Sequence, residues 1–155
     1  MGKELVRREM MITNMREQHV AQVAELEKLC FADPWSEKSV ASELSNALSC
    51  WLVAEDGGRV AGYVGSQTVM GESDMMNVAV HPEYRKQGIA TALIEELVSQ
   101  LRKQGSCCLT LEVRASNENA IALYRKLDFQ EVGCRRNYYR NPREDALILR
   151  KEWEI

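Results

Sequence analysis

The sequence has no C-x-x-C pair, no H-x-x-x-H, no G-x-G-x-x-G and no G-K-[ST]. Those gaps remove the clustered zinc site, the dinucleotide fingerprint and the nucleotide-triphosphate loop. Its two histidines, His19 and His81, have no cysteine beside them, so no thiolate–imidazole pair is indicated and both read as structural. No apolar run approaches the ~20 residues of a membrane span. The charged start Met1-Gly2-Lys3-Glu4 has no apolar segment behind it, and no secretory signal is expected. Positive charge is not in excess either: 20 Lys and Arg against 23 Asp and Glu leave −3. A chain-wide cationic footprint for nucleic acid is therefore absent. The five cysteines, Cys30, Cys50, Cys107, Cys108 and Cys134, are odd in number. They read as reduced, mostly buried thiols of a cytoplasmic protein rather than a disulfide framework.

What is present is an ordinary globular chain: 155 residues, 45% apolar and 28% charged. Residues 1–10 are charged and weakly periodic and read as an N-terminal extension; 11–155 read as one domain. The pattern predicts a strand at Met11–Asn14, a helix near Glu17–Phe31, and a break at Asp33-Pro34-Trp35-Ser36. Ser36 is placed to cap a second short helix running to about Ser45. Strands follow at Cys50–Glu55 and Val60–Met70 around the turn Asp56-Gly57-Gly58-Arg59, then at Met75–His81 after Gly71-Glu72-Ser73. Gly88–Gln104 is helical, with Ile89, Leu93, Leu97 and Leu101 at i+4 spacing. Cys107–Val113 is a strand, and Glu118–Leu127 a helix capped by Ser116 or Asn117. Phe129–Arg136 and Ala146–Trp153 are strands. No repeat, linker or second core divides this order, which predicts an α/β or α+β domain.

Two segments carry chemistry. In Arg85-Lys86-Gln87-Gly88-Ile89-Ala90-Thr91 a strand turns into a helix through a glycine and a small residue. The backbone can come close to a ligand there, and the free N–H groups of the first helical turn favour phosphate. The same segment also fits a plain glycine turn at a helix start. In the second segment, Leu109, Leu111 and Val113 share one strand face and Thr110 and Glu112 the other. Glu112 fits a general base at a cleft or a solvent-facing strand-end glutamate. Tyr124 fits a proton donor or a core tyrosine, and Asn117 a ligand contact or a helix cap. Arg85, Glu112 and Tyr124 nevertheless fall, in order, on the elements needed to surround one strand end.

On these motifs the chain resembles the GNAT (Gcn5-related) N-acetyltransferases from about residue 11 to 153. Arg85-Lys86-Gln87-Gly88-Ile89-Ala90 matches the family's R/Q-x-x-G-x-G/A acetyl-CoA motif. Leu111–Asn117, Ala122-Leu123-Tyr124, Phe31–Ser36 and Arg135-Arg136-Asn137-Tyr138-Tyr139 look like its ribosomal-protein-alanine N-acetyltransferase branch. One departure is Asp128, where relatives usually carry glycine before Phe129. The resemblance implies a mixed sheet of about seven strands, flanked by about four helices and splayed between the fourth and fifth strands. Acetyl-CoA would lie in that splay. Val78, Ala79 and Val80 would meet its pantetheine arm, Arg85 to Thr91 its pyrophosphate, and Asn117 would also touch it.

The resemblance further implies Glu112 as proton acceptor and Tyr124 as proton donor. Asp33, Trp35, Tyr138 and Tyr139 would line a peptide groove. The implied acceptor is the N-terminal alanine of the eighteenth protein of the small ribosomal subunit. A GNAT enzyme acting on lysine or a small amine is the alternative, as is a non-catalytic acetyl-CoA-binding module. The presence of both Glu112 and Tyr124 argues against the silent module. At pH 7 roughly 10–20% of an α-amine is neutral, against about 0.04% of a lysine, which favours the α-amine. Neither a metal nor a membrane is expected. Direct nucleic-acid binding is not expected either, the mixed Arg135–Arg143 stretch reading as a solvated hairpin loop.

Overall fold

The computed structural model describes residues 10–154. Strand β1 is Met10–Asn14, so it takes in the last residue assigned to the extension, and residues 1–9 lie outside the described part. A single 3₁₀ turn at Glu17–His19 leads into helix α1, Val20–Cys30, and α2 is Glu37–Ser42. Ser36 caps α2 as expected, its Oγ accepting the Ser39 N–H at 3.0 Å. Strands β2 (Ser49–Asp56), β3 (Arg59–Val69) and β4 (Glu72–Val80) form an antiparallel meander. Helix α3, Ile89–Lys103, is followed by β5 (Cys108–Arg114), α4 (Glu118–Lys126), β6 (Gln130–Arg140) and β7 (Arg143–Glu152).

The seven strands make one sheet in the order β1-β2-β3-β4-β5-β7-β6. Every neighbouring pair is antiparallel except β4 and β5, which are parallel. The larger core lies on one face. There Leu93, Ile94, Leu97 and Leu101 of α3 meet Leu52, Ala54 and Val64 of the meander and Leu109, Leu111 and Val113 of β5. The opposite face of the meander is covered by α1 through Val20, Val23 and Leu26, packed on Trp51, Val53 and Tyr63.

Three details differ from the sequence reading. Only Cys108 of the five free thiols is fully buried, and Cys134 is exposed. The run after Gly71 is already strand, because β4 starts at Glu72. The Arg135–Arg143 stretch is not a loop: β6 and β7 pair down to Arg140↔Arg143, across a bulge between Arg135 and Tyr139. Asn137 sits in that bulge with φ 52°, and its N–H donates to Asp145 Oδ1 at 2.8 Å. This arm is solvated on most of its surface, so its residues carry no apolar alternation to mark it as strand.

Trp51 lies flat against β3. A Cβ built on Gly65 would stand 2.3 Å from its ring, and Tyr63 stacks on the same indole at 5.9 Å between centroids. Gly65→Ala must therefore displace a buried ring. It should destabilise the protein by about 1–3 kcal/mol in denaturant unfolding; an unchanged midpoint would contradict this packing.

Candidate active site

Strands β4 and β5 pair at three positions only: Glu72↔Cys108, Ser73↔Leu109 and Asp74↔Thr110. Beyond Asp74 they part, while β3 stays paired with β4 to Val80 and β7 with β5 to Arg114. The closed end is held by hydroxyls. Ser73 Oγ lies 2.6 Å from Thr68 Oγ1 and 2.7 Å from Ser106 Oγ, and the Cys107 N–H donates to Gly71 O at 2.8 Å. The open end begins at a bulge: β3 residues Gly65 and Ser66 face Asn77 and Met75, which leaves Met76 as an extra residue in β4. A bulge adds bend and twist to its strand, so β4 turns away at the point where β5 is released.

The resulting gap is a cavity of about 320 Å3. One wall is Met75–Val80 of β4, the other Leu111–Arg114 of β5, with Asn117, Ala120, Leu123 and Tyr124 of the α4 segment on one side. Phe31, Ala90 and Tyr139 complete it. Of the residues singled out in the sequence, Val78, Ala79, Val80, Ala90, Asn117, Glu112, Tyr124 and Tyr139 thus share one space. Glu112 is 28% exposed and pairs with Arg135 Nε at 3.4 Å. Tyr124 is buried on the inner face of α4, edge-on to Phe129 at 5.6 Å. Burial, with a lesser push from Tyr139, raises its phenol to about 12. Burial likewise raises Tyr139 to about 12, helped by Tyr138 and Glu112, while Arg114 lies over the Tyr139 ring at 4.3 Å.

The turn into α3 supplies the second feature. Gly88 is its N-cap with φ 78° and ψ 17°, and Lys86 precedes it at φ 63°. Gly88 has no side chain to fold back as a cap, so no side-chain hydrogen bond closes this helix start. The first-turn N–H groups of Ile89, Ala90 and Thr91 have no intrahelical acceptor and can serve a phosphate. Gln87, Gly88, Ile89 and Thr91 line the outer side of the same turn, while Ala90 faces the cavity. Arg85 reaches back, its Nε donating to Val80 O at 3.4 Å. An open strand edge ending at an uncapped helix start suits a long, flexible amide-bearing arm joined to a phosphate group, and the pantetheine arm and pyrophosphate of acetyl-CoA are such a pair.

The remaining residues have other surroundings. Asn117 caps α4, its Oδ1 accepting the Ala120 N–H at 3.2 Å, which leaves its amide nitrogen for a ligand. Asp33 is exposed in the α1–α2 connection. Trp35 packs edge-on to Trp51 at 5.4 Å and anchors that connection without lining the cavity. Tyr138 is exposed and edge-on to Tyr139 at 5.1 Å. Asp128 adopts φ 69°, the left-handed conformation for which glycine is the easier residue. Lys151 Nζ steadies that turn, donating to Leu127 O at 2.6 Å.

Sequence reasoning missed Glu27. It is fully buried, and its carboxylate accepts the Trp35 N–H at 2.8 Å, the Tyr63 hydroxyl, and Asn77 Nδ2 at 2.9 Å. The signal was available: Glu27 continues the i, i+3, i+4, i+7 series of Val20, Val23 and Ala24, so a carboxylate stands at a core position.

Residues 20–129 match the model of the acetyltransferase (GNAT) family. The chain is 43% identical over 126 residues to the [ribosomal protein bS18]-alanine N-acetyltransferase of Escherichia coli strain K12, covering 80% of this chain and 84% of that protein. The crystal structure of the Escherichia coli ribosomal-protein-S18-alanine N-acetyltransferase superposes with a TM-score of 0.86 at 37% identity, covering 94% of this chain and 95% of the other. Arabidopsis thaliana NAA60 in complex with acetyl-CoA shares the fold at a TM-score of 0.86 and 17% identity, over 92% of this chain and 98% of that one.

Because Tyr124 is held near 12, its phenol remains protonated through neutral and moderately alkaline solution. The pH profile of turnover should show no fall centred near the ordinary tyrosine value of 10.0; a fall there that Tyr124→Phe abolishes would contradict this environment.

Proposed function

Since the chain belongs to the acetyltransferase (GNAT) family, we propose that its acetyl acceptor is the N-terminal alanine of ribosomal protein bS18. The chain is an acetyl-CoA-dependent N-acetyltransferase, and what the proposal adds is the acceptor and the duties of single residues. The observation that carries these duties is the meeting of Glu112 and Tyr124 in one cavity at the parting of β4 and β5. Residues 11–155 are read as the domain that does this work, and the cytoplasm, where ribosomal proteins are made, as its place.

Acetyl-CoA supplies an activated acyl thioester. The N–H groups of Ile89, Ala90 and Thr91, with Arg85 and Lys86 nearby, bind its pyrophosphate. The free edge of Val78, Ala79 and Val80 pairs with the pantetheine arm, and the Asn117 amide nitrogen donates to the same molecule. A backbone N–H of the Val78–Val80 segment faces the carbonyl oxygen and stabilises the negative charge that develops there. Glu112 takes one proton from the acceptor amine, directly or through a water, as the nitrogen forms its bond to the carbonyl carbon. Tyr124 gives its proton to the sulfur as the carbon–sulfur bond breaks, and is reprotonated from solvent as Glu112 discharges. No step needs a covalent enzyme intermediate. Asp33, Trp35, Tyr138 and Tyr139 belong to the two segments, α1–α2 and β6–β7, that flank the cavity on the acceptor side. Tyr139 forms part of its wall and Trp35 anchors the opposite segment.

Two peptides test the acceptor: one with a free N-terminal alanine and no lysine, the other with a blocked N-terminus and one lysine. Transfer to the alanine alone is the expected result, and transfer to lysine alone would overturn it. Glu112→Gln should lower turnover by roughly 10²–10⁴-fold, the range for a positioned general base, with acetyl-CoA affinity nearly intact. Unchanged turnover would remove Glu112 from the mechanism.

A further inference from the structure

Asn77 is the polar side chain of the β4 wall that the acyl-transfer reading leaves without a duty. It directly follows the bulge residue Met76, directly precedes the Val78–Val80 segment, and lines the cavity together with Phe31 and Glu112. Its amide has a defined orientation. Glu27 Oε1 is taken by the Trp35 N–H, and Oε2 accepts both the Tyr63 hydroxyl and Asn77 Nδ2. Asn77 therefore spends its donor on Glu27. Its carbonyl oxygen, Oδ1, has no hydrogen-bond partner among the described residues.

We propose that Asn77 accepts an N–H of the acceptor amine on Oδ1, and that Glu27 is the positioning residue that keeps the Asn77 amide turned that way. A neutral primary amine has two N–H bonds. With one directed at Glu112, which takes that proton as the nitrogen attacks, the other is left without a partner and the group can spin about its carbon–nitrogen bond. An acceptor atom on the β4 wall, facing Glu112 on the β5 wall, stops that rotation and aims the lone pair at the thioester carbon. Aim of this kind is a large share of the advantage of a bound reaction over a free one. Glu27 suits the task because it is rooted in the last turn of α1 and is tied to the α1–α2 connection, to β3 and to β4 together. It holds the acceptor-side segment and the acyl-side strand at a fixed separation. The N–H in question belongs to the amine rather than to pantetheine, because Asn77 stands just before Val78 in β4, outside the segment assigned to that arm.

The inference rests on the acyl-transfer reading, and the wild-type chain tests that reading separately by its transfer to the two peptides. Asn77→Ala, Glu27→Gln and the double variant are then compared on whichever peptide the wild type uses, with acetyl-CoA affinity measured by direct binding. Asn77→Ala should lower kcat/KM for the peptide roughly 10–100-fold, as for loss of a hydrogen bond to a charged or reacting group. Acetyl-CoA affinity should stay nearly unchanged. Glu27→Gln should produce the same selective loss, because its amide can turn Asn77 over, and the double variant should be no worse than the poorer single one. Tyr63→Phe removes a different donor from the same carboxylate and should lower the melting temperature without the selective loss. Asn77→Ala remains decisive if Glu27→Gln does not fold. Unchanged peptide kinetics in Asn77→Ala, a loss confined to acetyl-CoA affinity, or additive effects in the double variant would each overturn the proposal. No transfer by the wild type to either peptide would overturn both readings.

Discussion

The fold depends on a pair of strands that agree to pair for three residues and then stop. Parallel neighbours in the middle of a sheet normally satisfy each other's backbone groups along their whole length. Here β4 and β5 keep Glu72↔Cys108, Ser73↔Leu109 and Asp74↔Thr110 and give up the rest. Their outer partners, β3 and β7, remain engaged to the ends, so each half of the sheet is rigid while the seam between them is open. The unpaired edge is tolerable because it faces a cavity that a molecule with its own amide groups can fill. An open seam, a bulge that starts it and a serine cluster that closes its far end are one device.

The second requirement is that the two sides of the seam hold position without touching each other. On the β5 side this falls to α4, capped by Asn117 and packed through Ile121 and Tyr124. Glu144 also ties the turn before it, accepting the Ser116 N–H at 2.6 Å and pairing with Arg114 at 3.2 Å. On the β4 side it falls to buried Glu27. A carboxylate with several donors from separate elements fixes geometry at the cost of its desolvation, and it is poorly replaced by an apolar residue once those donors are buried with it. The same interaction pushes the Tyr63 phenol far above its ordinary range, by burial first and then by the neighbouring Glu27 charge. The neutral site phenols, Tyr124 and Tyr139, are likewise products of burial.

Much of this was legible in the residues. The i+4 leucines of α3, the Gly88 turn, the Asp56–Arg59 hairpin and the alternation of β5 each obey a local rule, and each element formed where that rule put it. The meeting of Glu112 with Tyr124 followed once the strand and helix were right. The rest is non-local. That Glu112 faces Arg135 depends on the β5-β7-β6 order, which no window of sequence contains. The β6–β7 arm runs longer than its residues suggest because its stability comes from pairing across a bulge rather than from an apolar face. Trp35, which the resemblance puts at a peptide groove, rests edge-on against Trp51, and that contact depends on Gly65 making room for the Trp51 ring. Glu27 breaks the apolar series of α1, and such a break in an otherwise consistent pattern marks a place where the chain does more than fold.

The central claim is that the open edge of β4 and the uncapped start of α3 hold acetyl-CoA. Amide hydrogen exchange with and without acetyl-CoA tests it most directly. Slowed exchange concentrated at residues 76–80 and 88–91 is the predicted result. The chain also has a second, separate groove between α3 and α4, lined by Ile94, Val98, Arg102 and Leu127. Protection of residues 94–102 and 126–128, with 76–80 unchanged, would put the molecule there and contradict the account.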